Sequence, residues 1–329
     1  MTSRFNLLRR TALVLAVGVG LGLTAQAQEK YPARAIKLVI PYAPGGSLDP
    51  IGRLLADEMA KKLGQPVVVD NAPGANGMLG ASKVLASPAD GYTLLLGITS
   101  NVTLAPLVTP NAKYKSADFD ALNLVGTSGL VLVTKPGLPA KTLDELIALA
   151  KSKPGALSYG VPGAGSIYHL AMEVLNLKAG TNITVIPYKG AGQASVDVIG
   201  GQLDMALLGL PAMLGFIDSH KMKALAVMSK RRDIGNQNIP AAAETAGLVD
   251  LDYSVWTGVF APKGTPEPVK ARLHSTIAEV LAMPAVAAQY EKMGVEVAKP
   301  QSMAQFTKFI ADDTAKLQRE VQATQLQLD

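Results

Sequence analysis

The 329-residue chain contains no cysteine. Disulfides, thiol nucleophiles, thiolate metal sites and a lipid-bearing cysteine behind a leader are therefore excluded. Histidine occurs only as His169, His220 and His274, far apart in sequence. Aromatic residues make up 5% of the chain, too few for a stacking platform that would hold nucleic acid. The motifs G-x-S-x-G, H-E-x-x-H and G-x-x-x-x-G-K-[ST] do not occur. GVPGAGSIYH (160–169) fails as a dinucleotide fingerprint because Tyr168 stands where the last glycine belongs. Repeats, charge blocks and low-complexity tracts are also missing. This pattern argues against an enzyme, a metal site, a cofactor and a nucleic-acid partner.

A strong signal opens the chain. Arg4, Arg9 and Arg10 precede the apolar run Ala12 to Leu23, and Ala25-Gln26-Ala27 follows as an A-x-A cleavage site. Residues 1–27 read as a signal peptide, with the mature chain starting near Gln28. The run is too short for a membrane span, which needs ~20 apolar residues. The pair Arg9-Arg10 leaves the general and twin-arginine export routes both open. The formal charge of +5 falls to +2 without those three arginines. An exported, cysteine-free chain points to the periplasm.

Strand and helix patterns then alternate. IKLVIPY (36–42) reads as a strand, and Asp49-Pro50 as N-cap and first residue of a helix. Ile51, Leu54, Leu55, Met59 and Leu63 follow at helical spacing up to Gly64. Further strands are expected at VVVD (67–70) and TLLLGIT (93–99). LVLVTK (130–135) opens a second series. Thr142 with Glu145 signs a capped helix over 142–151. ALSYGV, ITVIPY (183–188), MALLGL and KALAVM are strands, with a helix over 193–200. YSVWTGVFAP (253–262) returns to the first series. Two helices follow, the last with Phe306, Ile310, Leu317 and Val321 on one stripe. Such alternation defines an α/β fold with parallel strands.

Two glycine-rich turns carry the functional signal. Gly45-Gly46-Ser47 and Gly163-Ala164-Gly165-Ser166 each follow a strand and open a helix. Small residues let a ligand approach the backbone, and the first amides of a helix lack internal partners. Each helix start carries roughly +0.5 of an elementary charge, so two together suit one carboxylate. In open α/β sheets ligands gather at the carboxyl ends of strands, where both turns lie.

PYAPGGSLDPIGR (41–53) resembles the signature P-[FY]-x-x-G-G-x-x-D-x-x-A-R of the tripartite tricarboxylate transporter receptors, the Bug proteins. YPARAIKLVIPYAPGG, PVVVDNAPGANGMLGA, DGYTLLLG, GAGSIYHLAMEVL, IPYKGAGQASVDVIGGQLDMAL and VWTGVFAPKGTPEPV extend the resemblance in order. It implies a two-domain, type II periplasmic-binding-protein fold with a ligand cleft between domains that closes by hinge bending. The expected boundaries are 28–128 for domain 1, 129–252 for domain 2, and 253–329 for the return to domain 1. The implied function is capture of an organic carboxylate by a monomeric receptor for a two-subunit membrane permease.

By the same resemblance the first loop is Tyr42, Gly45, Gly46, Ser47, Leu48 and Asp49. The second is Gly163, Ala164, Gly165 and Ser166 with His169. Ser100 and Asn101 face the same cleft, and Tyr188 and Lys189 lie where the PYKG turn approaches the ligand. Asp204 is a further candidate, with strand-end and interdomain roles also open. Leu48, Val161 and Ala105 stand where the family often has Thr, Ser and Asn, and Gly52 replaces a typical Ala. Loss of three polar groups suggests a ligand with a larger apolar or aromatic body than malate or citrate.

Individual residues have plainer readings too. Asp49 fits an N-cap, or a contact to a ligand amine. His169 fits a loop-orienting role, and Arg53 a brace or a surface ion pair. Trp256 suits core packing as well as ligand stacking; Met172, Met205 and Met213 suit the core. The competing classes are a periplasmic hydrolase using Ser166 and His169, three apart on one helix face, and a sensing subunit without a transport role.

Overall fold

Strand β1 (Ile36–Ile40) reads IKLVI and buries every residue except Lys37. A strand apolar on both faces belongs inside a parallel sheet covered by helices. In the computed structural model, which describes residues 31–110, 112–233 and 236–328, β1 occupies such a position. The leader expected over 1–27 lies outside the described residues. β1 pairs in parallel with β2 (Val67–Asn71) and β3 (Thr93–Ile98). Helices α1 (Leu48–Leu63) and α2 (Met78–Leu85) make the crossovers. Gly64 closes α1 in the left-handed conformation, with Lys61 and Lys62 in its last turn.

After β4 (Phe119–Thr134) come α3 (Leu143–Ser152), β5 (Ser158–Val161), α4 (Ile167–Ala179), β6 (Thr184–Pro187), α5 (Ala191–Ile199), β7 (Met205–Gly209), α6 (Leu210–Asp218) and β8 (Lys223–Val227). β9 (Ser254–Pro262), α7 (Glu267–Leu281), α8 (Pro284–Lys292), β10 (Val295–Val297) and α9 (Met303–Thr324) complete the order. Thr142 caps α3, accepting from Glu145 N through Oγ1 at 3.2 Å, while the Glu145 carboxylate accepts from Lys141 N at 2.6 Å, one residue short of a full capping box.

The strands lie in the order β2-β1-β3-β9-β4-β7-β5-β6, with β8 and β10 also pairing with β4. The group β1–β3 is parallel, as is the group β5–β7. Antiparallel β9 and β4 join them. β4 is the shared element: residues 119–129 pair with β9, and 130–134 with β7 and β8. One core gathers Val39, Leu95, Trp256, Phe260, Phe306 and Ile310. The other gathers Val131, Val133, Leu203, Leu208, Met213 and Val227.

Two expectations need correction. The strand expected from residue 130 begins at Phe119, because pairing with β9 and β10 holds a segment interrupted by Asn123, Gly126 and Gly129. Three helices, not two, follow β9: Pro284 starts α8 as a separate helix, and β10 follows before α9. The stripe on α9 stands, with Phe306, Ile310, Leu317 and Val321 all buried.

Gly126 admits close backbone approach. A Cβ there would lie 2.5 Å from Glu296 O of β10. Gly126→Ala is therefore expected to destabilise the chain by ~1–3 kcal/mol, the usual range for overpacking, measured by urea unfolding. An unchanged midpoint would show that β10 yields freely.

Candidate ligand-binding site

The turn after β1 is built around a buried carboxylate. Asp49, 7% exposed, accepts from Gly45 N at 3.1 Å, Arg53 Nε at 3.0 Å and Asn71 Nδ2 at 3.0 Å. Burial pushes its carboxyl pKa up, but the hydrogen bonds from Arg53, Asn71 and Gly45 outweigh burial and hold it below the ordinary value. The helix starts at Leu48, so Ser47 holds the N-cap position and Asp49 lies inside the first turn. Asp49 is therefore not the N-cap; it folds back to fix the glycine loop. Arg53 braces it and also donates to Asn71 Oδ1 at 3.3 Å.

The turn after β2 contributes Asn76. Ala75, Asn76 and Gly77 are all left-handed, with φ of 47°, 50° and 86°. Non-glycine residues seldom adopt this conformation outside constrained sites. Asn76 O accepts from Tyr42 OH at 3.4 Å, while Asn76 Nδ2 is buried without a hydrogen-bond partner. Gly77 leaves no room for a side chain: a Cβ would lie 2.8 Å from Asn101 Cβ and 3.1 Å from Tyr42 OH. Burial raises the Tyr42 pKa well above its ordinary value, with Tyr168 and Tyr114 adding to the effect, so its hydroxyl is neutral.

After β3 the chain enters a π-helical turn over Ser100–Leu104 with every residue buried. Such turns are frequent at functional sites. Asn101 is fully buried; its Oδ1 accepts from Ile98 N at 2.8 Å, its carbonyl accepts from Tyr114 OH, and its Nδ2 has no partner.

The turn after β5 meets these segments. A Cβ at Gly163 would lie 3.3 Å from Asn76 Oδ1. Ile167 N, at the start of α4, donates to Ser100 Oγ at 3.2 Å. Ser100 thus bridges the two strand groups and already occupies one helix-start amide. Gly165 N donates to His169 Nδ1 at 3.2 Å, and Gly163 N to Val161 O at 2.9 Å. Gly46 N donates to Ala43 O at 3.3 Å. Among the described residues the N–H groups of Ser47, Leu48, Ala164 and Ser166 have no hydrogen-bond acceptor. They and the two asparagine amides belong to the four turns after β1, β2, β3 and β5, at the carboxyl ends of those strands; those after β2, β3 and β5 touch one another.

Ser166 Oγ donates to Gly163 O at 2.8 Å and caps α4 by accepting from His169 N at 3.4 Å. The imidazole faces Gly165 N, with Glu173 Oε1 3.9 Å from Nε2. Ser166 and His169 therefore form no nucleophile–base pair, and His169 orients the loop. Tyr188 N donates to Val161 O at 2.9 Å, placing it at the same strand ends, but its hydroxyl is committed to Asp197 at 2.7 Å. Lys189 is exposed.

Asp204 does not join the site. It accepts from Ser158 N at 2.9 Å and pairs with Lys135 Nζ at 2.7 Å, at the amino end of β5. The loop 163–166 leaves the other end, about 10 Å away at the usual rise per residue. Trp256 is 2% exposed; its Nε1 donates to Asp313 Oδ2 at 2.8 Å, so it is a core residue. Met172, Met205 and Met213 are also core. Leu48, Val161 and Ala105 are buried beside the loops at 5%, 0% and 1% exposure. An Ala at Gly52 would press on Ile40 Cδ1 at 2.5 Å and Leu96 Cδ2 at 2.9 Å, which accounts for the glycine.

Sequence reasoning passed over Asn76 and Asn71. The signal for Asn76 was present in G-A-N-G, since asparagine tolerates the left-handed conformation better than most residues. A groove of about 1090 Å³ lies elsewhere, lined by Thr127–Gly129, Ser229–Asp233, Asp252–Ser254 and Gly294–Val297 among others. It includes none of the loop residues. Of its cations Lys230, Arg231 and Arg232, the last is paired with Glu244 at 2.7 Å.

Parallel strand groups joined by antiparallel β4 and β9, each group with a glycine-rich loop at the carboxyl end of a strand, define a type II periplasmic-binding-protein fold. Comparison makes the assignment specific: residues 51–326 match the model of the tripartite tricarboxylate transporter family receptor, and the chain belongs to that family. It is 38% identical over 315 residues to Protein BugT of Bordetella pertussis, covering 92% of this chain and 94% of that one. R. palustris Rpa4515, solved with adipate, superposes with a TM-score of 0.84 at 29% identity, covering 89% of this chain and 98% of that one. MatC from Rhodopseudomonas palustris, solved with bound malate, gives 0.81 at 29% identity, covering 88% and 100%. The protein is thus a periplasmic solute-binding protein of the Bug type. No helix among the described residues is long and apolar enough to cross a membrane.

Two outcomes follow from these bonds. Asp49→Ala leaves Gly45 N and Asn71 Nδ2 without their acceptor, and is expected to lower stability by ~1–3 kcal/mol in urea unfolding. Loss below half a kcal/mol, on the order of a surface change, would contradict the brace. Burial depresses the His169 pKa, against the opposing pull of Glu173. Nδ1 can accept from Gly165 only when unprotonated. The stability from this bond is therefore full above ~6.5, the unfolded value, and is lost as pH falls through the lower folded value. His169→Gln, which keeps an acceptor, is expected to flatten the stability difference between pH 7 and pH 5 measured by thermal unfolding.

Proposed function

We propose that this receptor captures a small organic acid by its carboxylate at the four turns after β1, β2, β3 and β5 and delivers it to a two-subunit membrane permease. The observation that carries this reading is the pair of buried amides, Asn76 Nδ2 and Asn101 Nδ2, that lack acceptors in the same place. Four backbone N–H groups on these turns add to the surplus of donors. A buried donor left unpaired costs about 1–3 kcal/mol, so an acceptor-rich guest is strongly favoured. The nearby Asp49 carboxylate is already neutralised by Arg53 and hydrogen-bonded. Relatives with bound adipate and malate, both carboxylates, support the same ligand class.

Leu48, Val161 and Ala105 give the surroundings an apolar character, favouring an acid with a branched or aromatic body over malate or citrate. The chain acts as an exported monomer after cleavage near Ala27. The family description supports the permease partner. A hydrolytic role lacks a hydrogen bond between the Ser166 hydroxyl and the His169 ring.

Thermal stabilisation across aliphatic and aromatic acids tests the reading. A bound acid at 100 times its Kd is expected to add ~2.7 kcal/mol. No stabilisation across the panel would refute carboxylate capture, and preference for small dicarboxylates would refute the apolar body. Asn76→Gly removes the amide yet keeps the left-handed backbone, so affinity is expected to fall about tenfold with Tm unchanged.

A further inference from the structure

The loop Gly163–Ser166 has a neighbour that the ligand does not require and the sequence does not advertise. Helix α9 ends at Thr324, and Gln325 turns the chain in the left-handed conformation with φ of 55°. Leu326 N donates to Val321 O at 3.2 Å, and Leu326 is 7% exposed. The tail is thereby directed back over the protein. Leu328 N then donates to Val108 O at 2.9 Å. A Cβ on Gly165 would lie 2.7 Å from Leu328 Cδ1, 3.1 Å from Leu328 Cγ and 2.9 Å from Val108 Cγ2. The side chains of Leu328 and Val108 thus close directly on the backbone of Gly165.

Gly165 and its neighbours bind to both strand groups. Gly165 N is held by His169 Nδ1, and Ile167 N by Ser100 Oγ. Leu328 adds apolar pressure where Val108 follows the same π-helical turn that supplies Ser100 and Asn101. We propose that the tail 326–328 is a strap and that Leu328 is a positioning residue, which holds Gly165 so that the Ala164 and Ser166 amides stay aimed at the ligand. The ligand side of this inference rests on the carboxylate reading above; the strap itself does not.

Native-state hydrogen exchange on the full chain, read by NMR without ligand, tests the strap. Leu328→Ala, and a chain stopped after Gln325, are expected to exchange Gly165 N–H and Ile167 N–H about tenfold faster, as local opening becomes easier. Leu95 and Leu132 amides in the sheets keep their rates, and Leu328→Met restores slow exchange. Unchanged exchange at Gly165 and Ile167, or equal acceleration in the sheets, overturns the strap.

Calorimetric titration with adipate, malate and phenylacetate tests the consequence. Kd for the acid that binds best is expected to rise about tenfold in Leu328→Ala and to recover in Leu328→Met. Unchanged affinity overturns the positioning role even where exchange accelerates. If none of the acids binds the unaltered chain, the carboxylate reading fails, and the exchange rates still decide the strap.

Discussion

Buried amide hydrogens need acceptors, and at the junction of these loops the protein does not supply enough of them. Asn76 Nδ2 and Asn101 Nδ2 have no partner, although both residues are otherwise firmly tied. Asn101 holds Ile98 N through Oδ1, so its amide cannot turn to accept without breaking a buried bond. Asn76 is held in a left-handed turn between two glycines. Local geometry therefore holds both side-chain amides in place with no acceptor from the protein.

The elements around this junction carry the turns after β1, β2, β3 and β5 to the carboxyl ends of their strands. Parallel strands deliver the loops to one end of each group, and β4 passes continuously between the groups. The acidic residue nearest the first loop is spent on Gly45, Arg53 and Asn71, so its charge is compensated locally. Ser100 ties α4 to the first group through Ile167 N. Trp256 offers no stacking surface to a ligand, being sealed among Phe260, Phe306 and Phe309 and bonded to Asp313. Burial raises the Asp313 pKa against the pull of Trp256 and Lys316, as expected for a carboxyl in a core.

Much of this was legible in the chain itself. Apolar runs marked β1, β3 and β7, and the glycines after β1 and β5 marked the loops, because both features depend on local sequence. The first half of β4 was not legible, since Asn123 and Gly126 break its pattern and only pairing with β9 and β10 holds it straight. Asp49 was misread as a cap because Asp-Pro signals a helix start to within a residue or two, while its fold-back to Gly45 is a three-dimensional fact. Asp204 was open in sequence to a cleft, strand-end or interdomain role, and the parallel register of β5 and β7 sets it at the strand end away from the loop 163–166. The orphaned state of Asn76 and Asn101 could not be read from sequence at all, because it depends on what fails to reach them.

The most direct measurement is NMR titration of the side-chain amides with a carboxylic acid that stabilises the protein. The account requires Asn76 and Asn101 Nδ2 signals, together with Ala164 and Ser166 backbone amides, to move in a single saturable event at one ligand per chain. Binding that leaves those four signals still and shifts residues 229–233 and 294–297 of the separate groove would contradict it.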